Sequence, residues 1–347
     1  MAKTEPIRLG LAGLGRAGWG MHCEELKGKE GRFRFVAACD PMAERRKRMA
    51  RRYGCRTYET VEELVADPEV EVVDVATRSL DHCTHAALAL KAGKHVFLEK
   101  PISLNYADAA RLAKLAAKSR GKLYIRHNRR NEPAFLHVRE IMASGILGDV
   151  FEVRLFRGGF ARRDDWQTLK KFGGGQLLNW GPHIVDHSLQ MLDSPLEAMW
   201  SDLRRVAAVG DAEDHLKIIL RGTNGRIVDM EISGGAAIKP PVYHILGTRG
   251  ALVCEDEKTL KLRYLDPKRK LKARKANPGD PGATFGTPEN LVWIEKEIPV
   301  KPARTWDIWD ELYKALRKGT RFPIRLEEAV AVMRVISTAK KGTPFQE

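Results

Sequence analysis

The stretch "IRLGLAGLGRAG" (residues 7–18) carries alternating apolar residues straight into Gly13, Gly15 and Gly18, spaced G-x-G-x-x-G. A strand that runs into this spacing ahead of a helix makes a tight turn, lets backbone approach a pyrophosphate, and aims a helix N-terminus at negative charge. Arg16 and Ala17 fill the turn between the glycines. Asp40 closes the next apolar segment, 22 residues on from Gly18, where a carboxylate accepts hydrogen bonds from an adenosine ribose and repels a 2′-phosphate. The spacing therefore predicts a dinucleotide site that favours NAD over NADP. Arg45 and Arg46 follow closely enough to keep NADP as the second choice.

Around that turn the first 127 residues alternate strand-like and helix-like segments. "RFRFVAACD" (32–40), "VEVVDVAT" (70–77), "HVFLE" (95–99) and "KLYIRH" (122–127) read as further strands. "PMAERRKRMARRYG" (41–54), "HCTHAALALKAG" (82–93) and "NYADAARLAKLAAKSRG" (105–121) read as the helices between them, two with a glycine stop. Such alternation predicts a doubly wound parallel sheet. From about residue 150 strand-like segments follow one another, with short turns such as "GTNG", which predicts a mainly antiparallel sheet in an α+β domain. The expected division is 1–127 and 128–347, with the C-terminal helices free to pack back on the first domain. A Lys-, Pro- and Gly-rich stretch at 266–291 reads as a long mobile loop.

Composition narrows the function classes. The 347 residues, 43% hydrophobic and 30% charged, exceed one comfortable core and describe a soluble two-domain chain. No apolar run approaches the roughly 18 residues of a membrane span, and the N-terminus reads as a first strand, not a signal peptide. Five cysteines without C-x-x-C spacing argue against a disulfide framework or structural zinc and for a reducing cytoplasm. The net charge of +15 gathers in 43–56 and 266–275, read as a solvated helix face and loop. Interleaved aromatics or a recognition module for nucleic acid are lacking.

In "GKHVFLEKPIS" (93–103) a strand ends in a carboxylate, an ammonium and an imino acid: Glu99, Lys100 and Pro101. In an open parallel sheet that edge is where ligands sit. Pro101 restricts Lys100 to extended geometry, and the bond between them is a candidate for cis. Farther on, "NWGPHIVDHSLQML" places Pro182 in a first helical turn, so His183 lies near a helix N-terminus that disfavours imidazolium. His183 and His187 have a metal-like i, i+4 spacing with Asp186 between, but no third ligand converges, and no metal is expected. "GGFARRDDWQT" (158–168) has two readings: substrate contact, with Trp166 stacking on a sugar ring and Arg162, Arg163 or Asp165 binding hydroxyls or an acid group, or a surface loop around a packed indole. Glycines 173–175 read as a turn or as a close approach of backbone to a ligand.

Together "AGLGRAG", "DVATRSLDH", "AGKHVFLEKPIS", "RHNRRNEPAF" and "GGGQLLNWGPHIVDH" stand in the order and spacing of the glucose-fructose oxidoreductase/inositol dehydrogenase/rhizopine-catabolism (Gfo/Idh/MocA) dehydrogenases, which the chain resembles from Ile7 to its last helix. The E-K-P triplet is the most specific part, and the pattern around the histidine looks most like the scyllo-inositol dehydrogenase branch. The resemblance implies a nucleotide-binding Rossmann domain, and a substrate between its edge and the second sheet. It implies Lys100 at the substrate hydroxyl and nicotinamide ribose, and His183 as acid/base. It also implies Thr77, His82, Glu99 and Arg129 around the cofactor, and Asn179 at the substrate. It further implies NAD(P)-dependent oxidation of a sugar, cyclitol or related small molecule by a cytoplasmic homodimer or homotetramer, with no nucleic-acid or membrane partner. Two departures stand out: Asn179 where many relatives carry aspartate, and Thr77-Arg78 in place of Thr-Pro. The family also contains a non-catalytic regulator, the yeast galactose-pathway repressor, and redox-neutral NAD-dependent glycosidases. Lys100 and His183 together weigh against the first, and Asn179 leaves the second open.

Overall fold

The computed structural model describes residues 5–273, 275, 279, 289–301 and 307–346. Its first sheet has six parallel strands: β1 Ile7–Ala12, β2 Phe33–Cys39, β3 Arg56–Tyr58, β4 Val72–Val75, β5 His95–Glu99 and β6 Leu123–Arg126. They lie in the order β3-β2-β1-β4-β5-β6. β4 and β6 are buried throughout, because helices cover both faces of a parallel sheet. The order reverses between β1 and β4, so a crevice opens there beyond the strands' carboxyl ends.

The edge strand β3 and the helix Val61–Ala66 were not expected from the sequence. Both are short, yet a local signal exists: Thr60 caps the helix through a reciprocal capping box with Glu63. The expected helix after the glycine turn is also different. A π-turn over Gly18–His22 leads into a single α-turn, Cys23–Glu25. This widened turn carries the His22 ring fully into the interior.

The second sheet has eight strands: β7 Val150–Gly158, β8 Leu196–Arg204, β9 His215–Gly222, β10 Ile227–Ser233, β11 Tyr243–Gly247, β12 Gly250–Cys254, β13 Thr259–Leu265 and β14 Trp293–Pro299. Their order is β14-β13-β12-β11-β7-β10-β9-β8, antiparallel except where β10 runs parallel to β7. Leu216, Ile218 and Leu220 alternate inward on β9, as do Val228, Met230 and Ile232 on β10. That face packs on the helix Gly181–Leu192, which in turn packs on the helix Leu326–Lys340. The helix Ile308–Arg317 returns to the first sheet, where buried Trp309 meets Phe33 and Phe97 edge-on. Half of the stretch expected as a loop at 266–291 lies outside the described residues.

Candidate active site

The glycine turn builds one wall of a cleft of about 970 Å³ at the β1/β4 crevice. Gly13 sits at φ 93° and donates its N–H to Cys39 O at 2.9 Å, while a Cβ there would collide with the Ala76 carbonyl. Gly18 presses on Gly13 O, but Gly15 faces open space with only Arg45 nearby. That opening is where a pyrophosphate fits against backbone. Asp40 is buried at the end of β2. Its carboxylate accepts from the Leu14 N–H at 2.9 Å, the Met42 N–H at 3.0 Å and Arg45 Nη1 at 3.2 Å. Arg46 turns instead to the carbonyls of Asp40 and Pro41. Opposite, the His82 ring spans Pro101 O at 2.7 Å and Thr77 O at 3.2 Å, and burial lowers its pKa. These residues line the same cleft as Arg16, Ala17, Thr77 and Arg129, so its shape and donors fit a dinucleotide.

Beneath the cleft runs a buried charge network. His22 Nδ1 lies 2.8 Å from Asp74 Oδ2 and Nε2 lies 3.0 Å from Glu99 Oε1. With a carboxylate at each nitrogen, both must donate, and these carboxylates outweigh burial to raise the pKa to about 9. Arg126 donates to the same Glu99 oxygen at 2.6 Å and to both oxygens of Glu25, which also accepts Trp309 Nε1–H at 2.7 Å. The remaining Glu99 oxygen takes the Lys100 N–H at 3.1 Å. Glu99 is therefore held by two cations from below and stays ionised despite full burial, its pKa well below the usual carboxylate range. It anchors the backbone at Lys100 and does not pair with that residue's ammonium.

Lys100 reaches across to the second domain and donates Nζ–H to Asn179 O at 3.0 Å. The Lys100–Pro101 bond is cis. Burial lowers the ammonium's pKa against the pull of Glu99. His183, third residue of its helix, is buried beside it, and its Nδ1 has no hydrogen-bond partner among the described residues. Burial first, then the Lys100 charge, pushes its pKa well below the ordinary histidine range. It is a neutral base next to a cation. Asn179 Oδ1 accepts from Gln167 Nε2 at 3.2 Å, and Gln167 Oε1 accepts from Arg16 at 2.9 Å and Arg163 at 2.7 Å. One carboxamide thus ties the glycine turn to the Asn179 segment. Trp166 lines the cleft with Arg78, whose guanidinium stands 5.0 Å from the Phe172 ring.

Residues 7–127 match the profile of the oxidoreductase family with an NAD-binding Rossmann fold (GFO_IDH_MocA), and residues 135–253 match that family's C-terminal domain. The chain belongs to the Gfo/Idh/MocA oxidoreductase family. It is 27% identical to uncharacterized oxidoreductase C115.03 of Schizosaccharomyces pombe over 97% of both chains. It is 24% identical to the scyllo-inositol 2-dehydrogenase (NADP(+)) IolW of Bacillus subtilis, over 98% of this chain and 95% of that one. Among solved structures, an NAD-binding protein from Listeria innocua superposes with a TM-score of 0.82 over 98% of both chains at 24% identity.

Several residues of this family member sit differently from expectation. Arg163 and Asp165 pair with each other, and Asp165 also caps the Trp166 turn. The 173–175 run is approached by protein rather than ligand: a Cβ on Gly175 would overlap the Glu213 carboxylate, and one on Gly174 the backbone of 167–169. Asp186 and His187 take partners outside their own helix. Asp186 binds Arg130, and His187 Nε2 meets Arg129 O at 2.9 Å while its ring stacks on Phe135. Gln167 and His22 were missed in the sequence. A glutamine carries no charge to draw notice, but Asp74 lies within β4 while Glu99 and Arg126 end β5 and β6, and those buried charges called for a partner.

Proposed function

We propose that the chain moves hydride between NAD and a secondary alcohol or ketone of a sugar, cyclitol or sugar derivative. One observation carries this reading: Lys100, Asn179 and a neutral His183, whose Nδ1 has no partner among the described residues, converge on the cleft that the glycine turn opens. Bound nicotinamide supplies the hydride acceptor or donor. In the oxidative direction His183 accepts the carbinol proton, which its low proton affinity for the ground state allows at neutral and mildly acidic pH. The Lys100 ammonium hydrogen-bonds the same oxygen and stabilises its developing negative charge. Asn179 bonds a neighbouring hydroxyl through its carboxamide. Reduction reverses these roles. Incubation with NAD and a panel of polyols and sugars, followed by NADH fluorescence, tests the assignment; binding without turnover of any member contradicts it.

Asp40 supports NAD as the preferred cofactor, since its buried carboxylate occupies the place a 2′-phosphate needs. The NADP(+) in the name of IolW keeps the alternative open within the family, and Arg45 is the residue placed to serve it. NAD is expected to bind more tightly than NADP, and Asp40→Ser to narrow the gap. Equal titration affinities in the unaltered protein contradict the assignment.

Asn179 sets the pH range. An aspartate there places a carboxylate beside His183 and Lys100 and raises both pKa values. A raised His183 pKa means the base is protonated up to higher pH, so Asn179→Asp moves the acid limb of kcat/KM upward. A limb that stays in place uncouples Asn179 from His183.

Trp200 and Ile227, 55% and 39% exposed on the outer side of the second sheet, support a homo-oligomer joined through that face. Light scattering that returns a monomer contradicts it.

A further inference from the structure

A second cavity, of about 610 Å³, opens on the face of the second sheet. Its walls come from the segment leaving β7, the end of β10, and residues 239–242. Gln167 and Trp180 line both this cavity and the cofactor cleft, so the two spaces meet at the residue that holds Asn179. The first cleft has the size of a site for one drug-sized molecule, roughly 300–1,000 Å³, and a dinucleotide takes most of it. Whatever extends beyond the reacting carbinol has the second cavity as its neighbour.

The lining identifies the chemistry. Three cations and five acidic residues face it, which disfavours an anionic guest. Arg157 is committed to Glu132, Glu257 and the Tyr243 hydroxyl, and Asp214 to three backbone N–H groups. The groups left uncommitted are a donor and an acceptor. Among the described residues Lys239 forms no hydrogen bond or ion pair, and Gln176 Oε1 is buried without a partner. A buried orphan acceptor is unfavourable, and a ligand hydroxyl that meets it once the side chain turns toward the cavity offsets that cost. Glu213, its pKa pushed up to about 7 by burial, adds a carboxyl able to donate or accept. Phe160, 64% exposed, and Trp180 supply aromatic surface. Paired donors and acceptors beside aromatic rings, without excess positive charge, suit a neutral hydroxylated ring.

We propose that this cavity is the subsite for a second hydroxylated ring, so that the substrate is a two-ring glycoside with one ring oxidised at Lys100 and His183. The inference rests on the dehydrogenase reading above and narrows its substrate class.

The test compares kcat/KM for myo-inositol, scyllo-inositol, glucose and galactose with that for galactinol, cellobiose, maltose, lactose and melibiose. At least one two-ring compound is expected to exceed its single-ring counterpart tenfold or more. Ala208→Trp, which fills the cavity, is expected to abolish that advantage and leave the single ring within twofold. Lys239→Ala, at an exposed position, provides the same comparison should the tryptophan variant not fold. Single rings turned over as well as two-ring compounds, or both affected equally by the variants, overturn the subsite. Saturation-transfer NMR on the enzyme with NADH separates the two proposals. Two-ring binding that the variants abolish, without turnover of any compound, keeps the subsite and defeats the redox reading. Absence of two-ring binding defeats the subsite.

Discussion

Lys100→Met is expected to lower kcat by at least about a hundredfold, the usual scale for a group that handles the proton or charge of the transition state. NAD affinity should stay close to normal, because Gly13, Gly15 and Asp40 are untouched. His183→Ala should lose as much for a different reason: it removes the acceptor of the carbinol proton, whereas the methionine removes the cation beside the oxygen. The two losses should not add in the double variant, since both groups act on one oxygen. The pH dependence separates them further. On the proposed roles His183, with its pKa pushed far down by burial and by Lys100, should set the acid limb. Lys100, also lowered by burial, should set the alkaline limb. Near-normal turnover of either variant on a verified substrate removes that residue from the chemistry.

Arg126→Met is expected to destabilise the fold by about 3–5 kcal/mol, the scale for breaking one partner out of a buried ion pair. Arg126 is almost fully buried, and its loss takes the guanidinium from Glu99, which keeps the His22 ring and the Lys100 N–H, and from Glu25, which keeps the Trp309 Nε1–H. His22→Ala acts from the other side by uncovering Asp74 and Glu99 together. Urea unfolding reads both, and a change within about 0.5 kcal/mol, typical of an ordinary surface site, contradicts the network. The histidine also gives the network a pH signature. Its folded pKa, near 9, lies above the unfolded 6.5. The stability it contributes is fully present below pH 6.5 and is lost as pH rises through about 9. His22→Gln should flatten stability across that window. Glu99 has the opposite sign, its depressed pKa contributing stability that disappears only in strong acid.

What the sequence makes legible follows from how local each signal is. The strand His95–Glu99 and the helix Ala43–Tyr53 with its Gly54 cap are written in consecutive residues, and so is the G-x-G-x-x-G turn. The order of strands in the second sheet, with β10 parallel to β7 between antiparallel neighbours, depends on long-range pairing that no short stretch encodes. The same division runs through the site. Lys100 and His183 announce themselves by type and by neighbouring prolines. Gln167 matters only because Arg16 lies 151 positions away in sequence and 2.9 Å away in space. His22 likewise acquires meaning from carboxylates on two strands, Asp74 on β4 and Glu99 on β5, brought beside it by the sheet order. The π-turn that delivers it has no signature beyond an ordinary glycine-rich start. The triple glycine misleads for a related reason: glycine permits close approach without saying what approaches, and here it is Glu213.

Hydride transfer itself is the central claim, and isotope tracing tests it most directly. The enzyme is incubated with NAD and a bound polyol or glycoside deuterated at its carbinol carbons, and the recovered nicotinamide is analysed by mass spectrometry and NMR. One deuterium per turnover at the nicotinamide ring carbon that accepts hydride is the predicted result, with the label absent in Lys100→Met and His183→Ala. A ligand that binds in the cleft beside NAD yet never passes deuterium to it would contradict the account.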